Sequence, residues 1–320
     1  MNPKVSIVMS VYNGVGLINK TVDSVLNQTL RDFEFIIIND GSTDSTQDLI
    51  KEYILKDNRI ILLENKENIG LTKSLNRGIN LARGDYIARI DVGDLWDKIK
   101  LEKQIKFLEE NKEYIICGTQ VFCIDEKGKI LGRSLYKNTD KDIRKNFFTR
   151  EATFLHPSIV FRNTKIYYRE FFRHSQDLDL YMQLFFKGKL YCLSEFLTFS
   201  KLSFSDLTIK KRYYQRQYQN IAYKLFRERI KYGEDKLDIG EIPAIKENKI
   251  GLKFCNWSMF FLLRYQKAKV SKKSFILWFF YLILACLMYP PFMLDYLRKV
   301  GSIILYKKLK LVRKVLRKKE

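Results

Sequence analysis

The first hundred residues alternate short, mostly apolar runs with amphipathic stretches. The runs at 5–11 (VSIVMSV), 33–39 (FEFIIIN), 59–63 and 86–90 are rich in Val, Ile and Phe and predict buried strands. Between them, 17–27, 46–56 and 71–82 repeat apolar residues three and four apart, the spacing of a helix with one buried face. Strand–helix alternation of this kind predicts a mostly parallel α/β sheet covered by helices on both faces. Such sheets bind ligands at the carboxyl ends of their strands.

Further along, the pattern predicts a helix at 96–111, a strand at 114–124 and a hairpin turn at 125–129. A strand at 156–162, a helix at 177–186 ended by Gly188, and a strand at 190–193 follow. Residues 208–232 read as a long, basic, Tyr-rich helix, 233–249 as a loop, and 275–289 as fifteen residues without a charge, closed by Pro290 and Pro291. There is no internal repeat.

Charge changes the picture only in the last third. The 320 residues carry 58 Lys+Arg and 36 Asp+Glu, a net +22, but residues 1–200 hold 30 and 27 while residues 201–320 hold 28 and 9. The near-neutral front argues against a nucleic-acid partner, which needs excess cations along its contact surface. The excess flanks the uncharged run, which points to a membrane surface. Fifteen helical residues reach about 22 Å, short of the ~30 Å hydrocarbon core, and extension through 290–294 kinks the helix at proline. A full span would also put the basic tail on the side opposite the rest of the chain, against the positive-inside tendency. A re-entrant or interfacial segment at 275–294 with an in-plane amphipathic tail at 303–319 meets both constraints; a buried core helix with a solvated tail is the alternative. Five scattered cysteines without a CxxC pair read as reduced thiols, and the opening MNPKVSIVMS does not read as a secretory signal. The expected location is the cytoplasmic face of the cell membrane.

Three predicted strand ends carry polar chemistry: Ser10-Val11-Tyr12-Asn13-Gly14, then Asn39-Asp40-Gly41-Ser42-Thr43-Asp44-Ser45, then Asp91-Val92-Gly93-Asp94. Alone, the second is equally a turn with Asp44 or Ser45 capping a helix. Together, the three place small polar residues and carboxylates on one edge.

In this order, VSIVMSVYNG (5–14), IIINDGSTDST (36–46), ENIGLTKSLNRGINLARGDYIARIDVGD (67–94), LEKQIKFL (101–108), HPSIVFR (156–162) and QDLDLYMQL (176–184) resemble glycosyltransferase family 2, the inverting nucleotide-sugar transferases of the GT-A fold. The resemblance covers about residues 3–208. It implies a Rossmann-like GT-A catalytic domain at 1–208, followed by a basic helical region at 209–320. It also implies that Tyr12 covers the donor base and that Asp40 accepts the base's ring N–H, with Ser10, Asn13, Gly41, Ser42, Asn68 and Lys73 around the nucleotide. A leaving diphosphate develops negative charge that a divalent cation, Mn²⁺ or Mg²⁺, neutralises; the resemblance puts Asp94 on the metal and Asp91 near the ribose or the metal. Single displacement needs one base for the acceptor hydroxyl, and by resemblance that is Asp177, with His156 and Gln176 on the acceptor side. Tyr12 also reads as a packing tyrosine, His156 as a structural hydrogen-bonding residue, and Lys73 and Arg77 as a solvated helix face. Asp179 competes with Asp177, or is a first-turn carboxylate favoured by the helix dipole.

The chain departs from the family pattern in three places. Asp-x-Asp-Asp reads Asp91-Val92-Gly93-Asp94, the loop Arg-x-His reads Lys201-Leu202-Ser203, and the glutamate before the base is Gln176. Gly93 and Ser203 weaken the metal site, and Lys201 remains as a point charge for phosphate. The expected activity is transfer of a hexosyl or N-acetylhexosaminyl group from a UDP-sugar to a surface-glycan or lipid-linked acceptor, as in lipopolysaccharide or capsule synthesis. Two competing readings are a non-catalytic membrane adaptor with a degenerate transferase domain and a nucleotidyltransferase that makes nucleotide sugars. The latter opens on a Gly-rich loop with a downstream Lys or Arg, unlike residues 10–14.

Overall fold

A computed structural model describes residues 2–201 and 207–245. The uncharged run, the amphipathic tail, Ser203, Cys255 and Cys286 lie outside the described residues. Among the described residues no helix is long and apolar enough to cross a membrane, and Cys117, Cys123 and Cys192 are free thiols.

Strands β1 (Val5–Val11), β2 (Phe33–Asn39), β3 (Ile60–Glu64) and β4 (Tyr86–Arg89) pair in parallel in the order β3-β2-β1-β4. They alternate with helices α1 (Ile18–Leu26), α2 (Thr46–Lys56) and α3 (Leu71–Leu81). β1 and β2 are buried along nearly their whole length, which is why they read as apolar runs instead of alternating ones. α1 buries Ile18, Thr21, Val22 and Val25, one stripe of a 3.6-residue period, against that sheet. The chain order reverses between β1 and β4, so the crevice at a topological switch point opens beside the loops after these two strands.

Beyond β4 the sheet becomes mixed. β8 (Val160–Arg162) runs antiparallel to both β4 and β6 (Tyr114–Ile124), while β6 pairs in parallel with β9 (Lys189–Lys201). β7 (Ile130–Ser134) returns on β6 through the hairpin turn, and Asp125 Oδ1 accepts the Lys127 and Lys129 N–H groups there. Helices α4 (Lys100–Glu110), α5 (Asp140–Thr149), α6 (Gln176–Phe185) and α7 (Leu207–Tyr232) complete the elements.

The structure corrects three sequence boundaries and adds one helix. The helix expected from residue 96 starts at Lys100, because Leu95–Trp96 form β5 and pair with Thr198 and Phe199 of β9. The strand expected at 156–162 opens as a 3-10 turn at His156–Ser158, where Pro157 lacks the N–H a ladder needs, and becomes strand only at Val160. β9 continues eight residues past Leu193. The pattern gave no sign of α5, which Thr139 caps by accepting the Asp142 N–H.

Residues 1–202 with 219–242 form one compact unit.

Candidate active site

At the carboxyl edge of β1 and β2 the two polar loops are tied to each other. Asn13 adopts a left-handed conformation, φ 53°, which asparagine tolerates. Its Oδ1 accepts the Thr43 N–H at 2.8 Å, its own N–H donates to Ser42 Oγ at 3.0 Å, and the Gly14 N–H donates to Thr46 Oγ1 at 2.8 Å. Asn13 and Ser42 therefore shape the rim. Tyr12 stands beside them half exposed, and Ser10 is part-buried at the end of β1.

Asp40 is buried at the end of β2 and almost fully subscribed. Oδ1 accepts from Asn65 Nδ2 (2.7 Å) and the Ile69 N–H (2.9 Å), and Oδ2 accepts the Gly70 N–H (3.0 Å). A carboxylate oxygen takes two donors, so Oδ2 keeps one acceptor position with no donor among the described residues. Asn65, which the sequence reading missed, anchors this group. It closes β3 as Asn39 closes β2, donates also to Ser74 Oγ at 2.8 Å, and accepts from Arg77. Arg77 is thereby a strut of the loop after β3. Asn68 and Lys73 are exposed on its outer side.

Gly41 makes the approach of that loop possible. It sits at φ +69°, and a Cβ there would stand 2.5 Å from the Glu67 carbonyl carbon and 2.6 Å from the Asn68 nitrogen. Both obstacles are backbone. Gly41→Ala is expected to cost about 1–3 kcal/mol, read as a lower melting temperature, and to weaken nucleotide binding because Asn68 must retreat. An unchanged melting temperature and affinity would show that the loop is free to move.

After β4, Thr21 of α1 accepts the Gly93 N–H at 2.9 Å and donates to the Asp94 carbonyl at 3.0 Å, fixing the turn. Gly93 lies at φ +96°, a conformation L side chains rarely adopt. Arg89, also missed, ends β4 two residues before Asp91 and donates to its carboxylate. The guanidinium is almost wholly buried, and its Nε and Nη1 have no partner among the described residues. Burial pushes Asp91 up, but the Arg89 charge overcomes this and holds its carboxyl below the ordinary range. Asp94 is buried and its Oδ1 accepts the Lys201 N–H at 2.9 Å. Burial, then the charge of Asp91, raise it to about 7 against the hydrogen bonds from Lys201 and Ser200.

This site offers a divalent cation few protein donors. One Asp91 oxygen is held by Arg89, one Asp94 oxygen by the β9 backbone, and Gly93 offers no side chain. No three His, Cys, Asp or Glu side chains are grouped for a metal among the described residues.

On the far side, α6 begins after Ser175, at φ 59°, and brings Asp177 into its first turn. Burial raises the Asp177 carboxyl, the first-turn N–H groups of Leu178 and Asp177 itself lean it back, and the nearby Asp91 charge adds to the rise. Asp179 is otherwise occupied: Arg169 Nε reaches its two oxygens at 3.2 and 3.0 Å. His156 is buried, with Nε2 2.7 Å from the Tyr168 hydroxyl, and burial followed by the Arg89 charge pushes it down to about 3. It is neutral at pH 7. Gln176 is buried beside Asp177. The Tyr136, Tyr168 and Tyr181 hydroxyls lie within electrostatic reach of Asp177. Tyr181, four residues along the same helix face, has a buried hydroxyl without a partner among the described residues. None of these tyrosines was picked out by motif, although the i, i+4 relation of Asp177 and Tyr181 was visible.

Comparison with known proteins gives this arrangement its family. An uncharacterized glycosyltransferase of Methanocaldococcus jannaschii is 38% identical over 187 residues, 57% of this chain and 64% of the relative. The chain thus matches a little under two thirds of that relative's length. One of Haemophilus influenzae is 28% identical over 257 residues, 74% of this chain and 76% of the relative. Crystal structures of S. aureus TarS 1-349 superpose with TM-scores of 0.57 (UDP-GlcNAc complex, 15% identity, 81% of this chain and 80% of that one) and 0.54 (UDP complex, 16% identity, 92% of each). That likeness is one of fold, and the fold is GT-A. A family model described as Glycosyl transferase family 2 matches residues 6–174, more than half of the 320, and the chain belongs to that family of glycosyltransferases.

Proposed function

We propose that this glycosyltransferase moves a sugar from a UDP-sugar to an acceptor hydroxyl on a surface glycan or lipid-linked glycan, with inversion, at the cytoplasmic face of the cell membrane. One observation carries the reading: among the described residues Asp177 has no ion-pair partner, only the N–H groups of its own helix turn, and lies within electrostatic range of Asp91 and Arg89, while Asp179 is locked to Arg169. The half-exposed Tyr12 ring covers the base, and the remaining acceptor position of Asp40 takes the base N–H. Asp91, ionised by its Arg89 contact, accepts from the ribose. Asp177 takes the acceptor's proton as its oxygen attacks the anomeric carbon, and its raised basicity brings it nearer the working pH. The S. aureus neighbour's complexes with UDP-GlcNAc and UDP support the uridine donor. The basic region beyond residue 209 supports the membrane site.

A panel of nucleotides tests the donor. UDP is expected to stabilise the fold, by about 2.7 kcal/mol at a hundred times its dissociation constant, and GDP or ADP far less. No shift with any nucleotide contradicts the proposal.

The pH dependence has a definite sign. Asp177 works deprotonated and its folded-state value is raised, so kcat/KM falls as pH drops, beginning above the ordinary aspartate value of about 3.9. A profile flat down to pH 4 would exclude Asp177 as the base.

A further inference from the structure

GT-A transferases commonly answer the charge of the leaving diphosphate with a divalent cation, but here one oxygen of each motif carboxylate is committed to the protein. Asp91 is charge-balanced from within by the buried Arg89, and Asp94 accepts a main-chain N–H of β9. The third motif position is a glycine, and the space above it is not empty. A Cβ built on Gly93 would meet Lys201 Cδ at 3.6 Å, so the stem of Lys201 runs over the place where a third aspartate would project. The Lys201 N–H on Asp94 Oδ1 fixes where that stem starts, and its ammonium lies 3.4 Å from Oε1 of Glu126, an outward-facing carboxylate 84% exposed. A surface pair of this kind is easily exchanged for a stronger anion. Lysine offers a compact, strongly hydrated charge with three donors, suited to phosphate oxygens.

We propose that the Lys201 ammonium, in place of a divalent cation, neutralises the donor's diphosphate, so that the chain binds a nucleoside diphosphate without metal. The proposal rests on the nucleotide-sugar reading above. In the transfer step the anomeric carbon–oxygen bond breaks with its electron pair going to the diphosphate, the acceptor oxygen forms the new bond, and the acceptor proton goes to Asp177. Lys201 stays protonated and offsets the charge gathering on the leaving oxygens.

The test is calorimetric titration of the full chain with UDP and with uridine, in excess EDTA and in saturating Mn²⁺. The expected UDP affinity is the same in both, within about threefold. Lys201→Ala should weaken UDP by about tenfold or more, the value of one charge-assisted contact, and leave uridine unchanged, while Lys201→Arg restores much of the loss. Glu126→Gln, which releases the ammonium, should tighten UDP. A UDP affinity that depends on Mn²⁺, or a Lys201→Ala protein that binds UDP like the parent, overturns the metal-free assignment and leaves the uridine donor standing. Failure to bind either compound under either condition overturns both.

Discussion

Asp177→Asn is expected to lower kcat by about 10²–10⁴-fold while the melting temperature at pH 7 holds or rises. The two halves of this result share one cause. Burial makes ionised Asp177 unfavourable in the folded state, so its folded-state value lies above the unfolded one. A group raised in this way binds its proton more tightly when folded. It therefore costs stability at pH above its folded value, and that cost fades as pH falls through the value. Asparagine keeps the shape and removes the cost. It cannot take the acceptor's proton, so the loss should appear in kcat with little change in the donor's KM. A residue that merely packed α6 would give the opposite result, a lower melting temperature with activity scaled to folded protein. Full transfer activity in a folded Asp177→Asn protein would return the role to another group. Asp179 is poorly placed for it, because its oxygens face Arg169.

The parallel half of the sheet was legible because its strands are buried on both faces and its helices carry a clean apolar stripe. Predicted and observed bounds coincide for β1, β2 and α2, differ by one residue at one end for β4 and α3, and by one residue at each end for β3 and α1. The mixed half was not. β5 has two residues, α5 offers few apolar positions in DKDIRKNFFT, and the polar pair Ser194 and Glu195 interrupts β9. Each is fixed by pairing or capping across the chain, which no local period records. The same division runs through the site. Asp40, Asp91 and Asp177 are read from motifs, whereas Arg89, Asn65, Tyr168 and Tyr181 belong to no motif and take their roles from contacts that the fold assembles. The resemblance named Asp94 and Asp91 as metal positions. Their commitment to Lys201 and Arg89 was invisible without the fold.

Arg169→Met is expected to cost about 3–5 kcal/mol, the penalty of leaving buried charge without its partner, and to lower the melting temperature by on the order of 10 °C. Arg169 sits between two carboxylates whose side chains are each 1% exposed, Asp179 of α6 and Asp235 beyond α7. Its Nη1 reaches both Asp235 oxygens at 2.7 Å, and Arg229 closes the group through Asp235 at 3.2 Å and through Asp238. Methionine would fill much of the volume, so the loss reads the charges and not a cavity. Asp179 would suffer most, because Asp235 keeps Arg229. This network ties residues 229–238 to the helix that presents Asp177, and both belong to the same compact unit. A chain ending at residue 208, where the sequence motifs stop, would remove Asp235, Asp238 and Arg229 together and leave Arg169 with Asp179 as its one carboxylate partner among the described residues. It should melt well below a chain ending at 245 and lose transfer activity with it. Equal melting temperatures for the two would mean that the ion group is dispensable and that the helix of Asp177 is held by its apolar face alone.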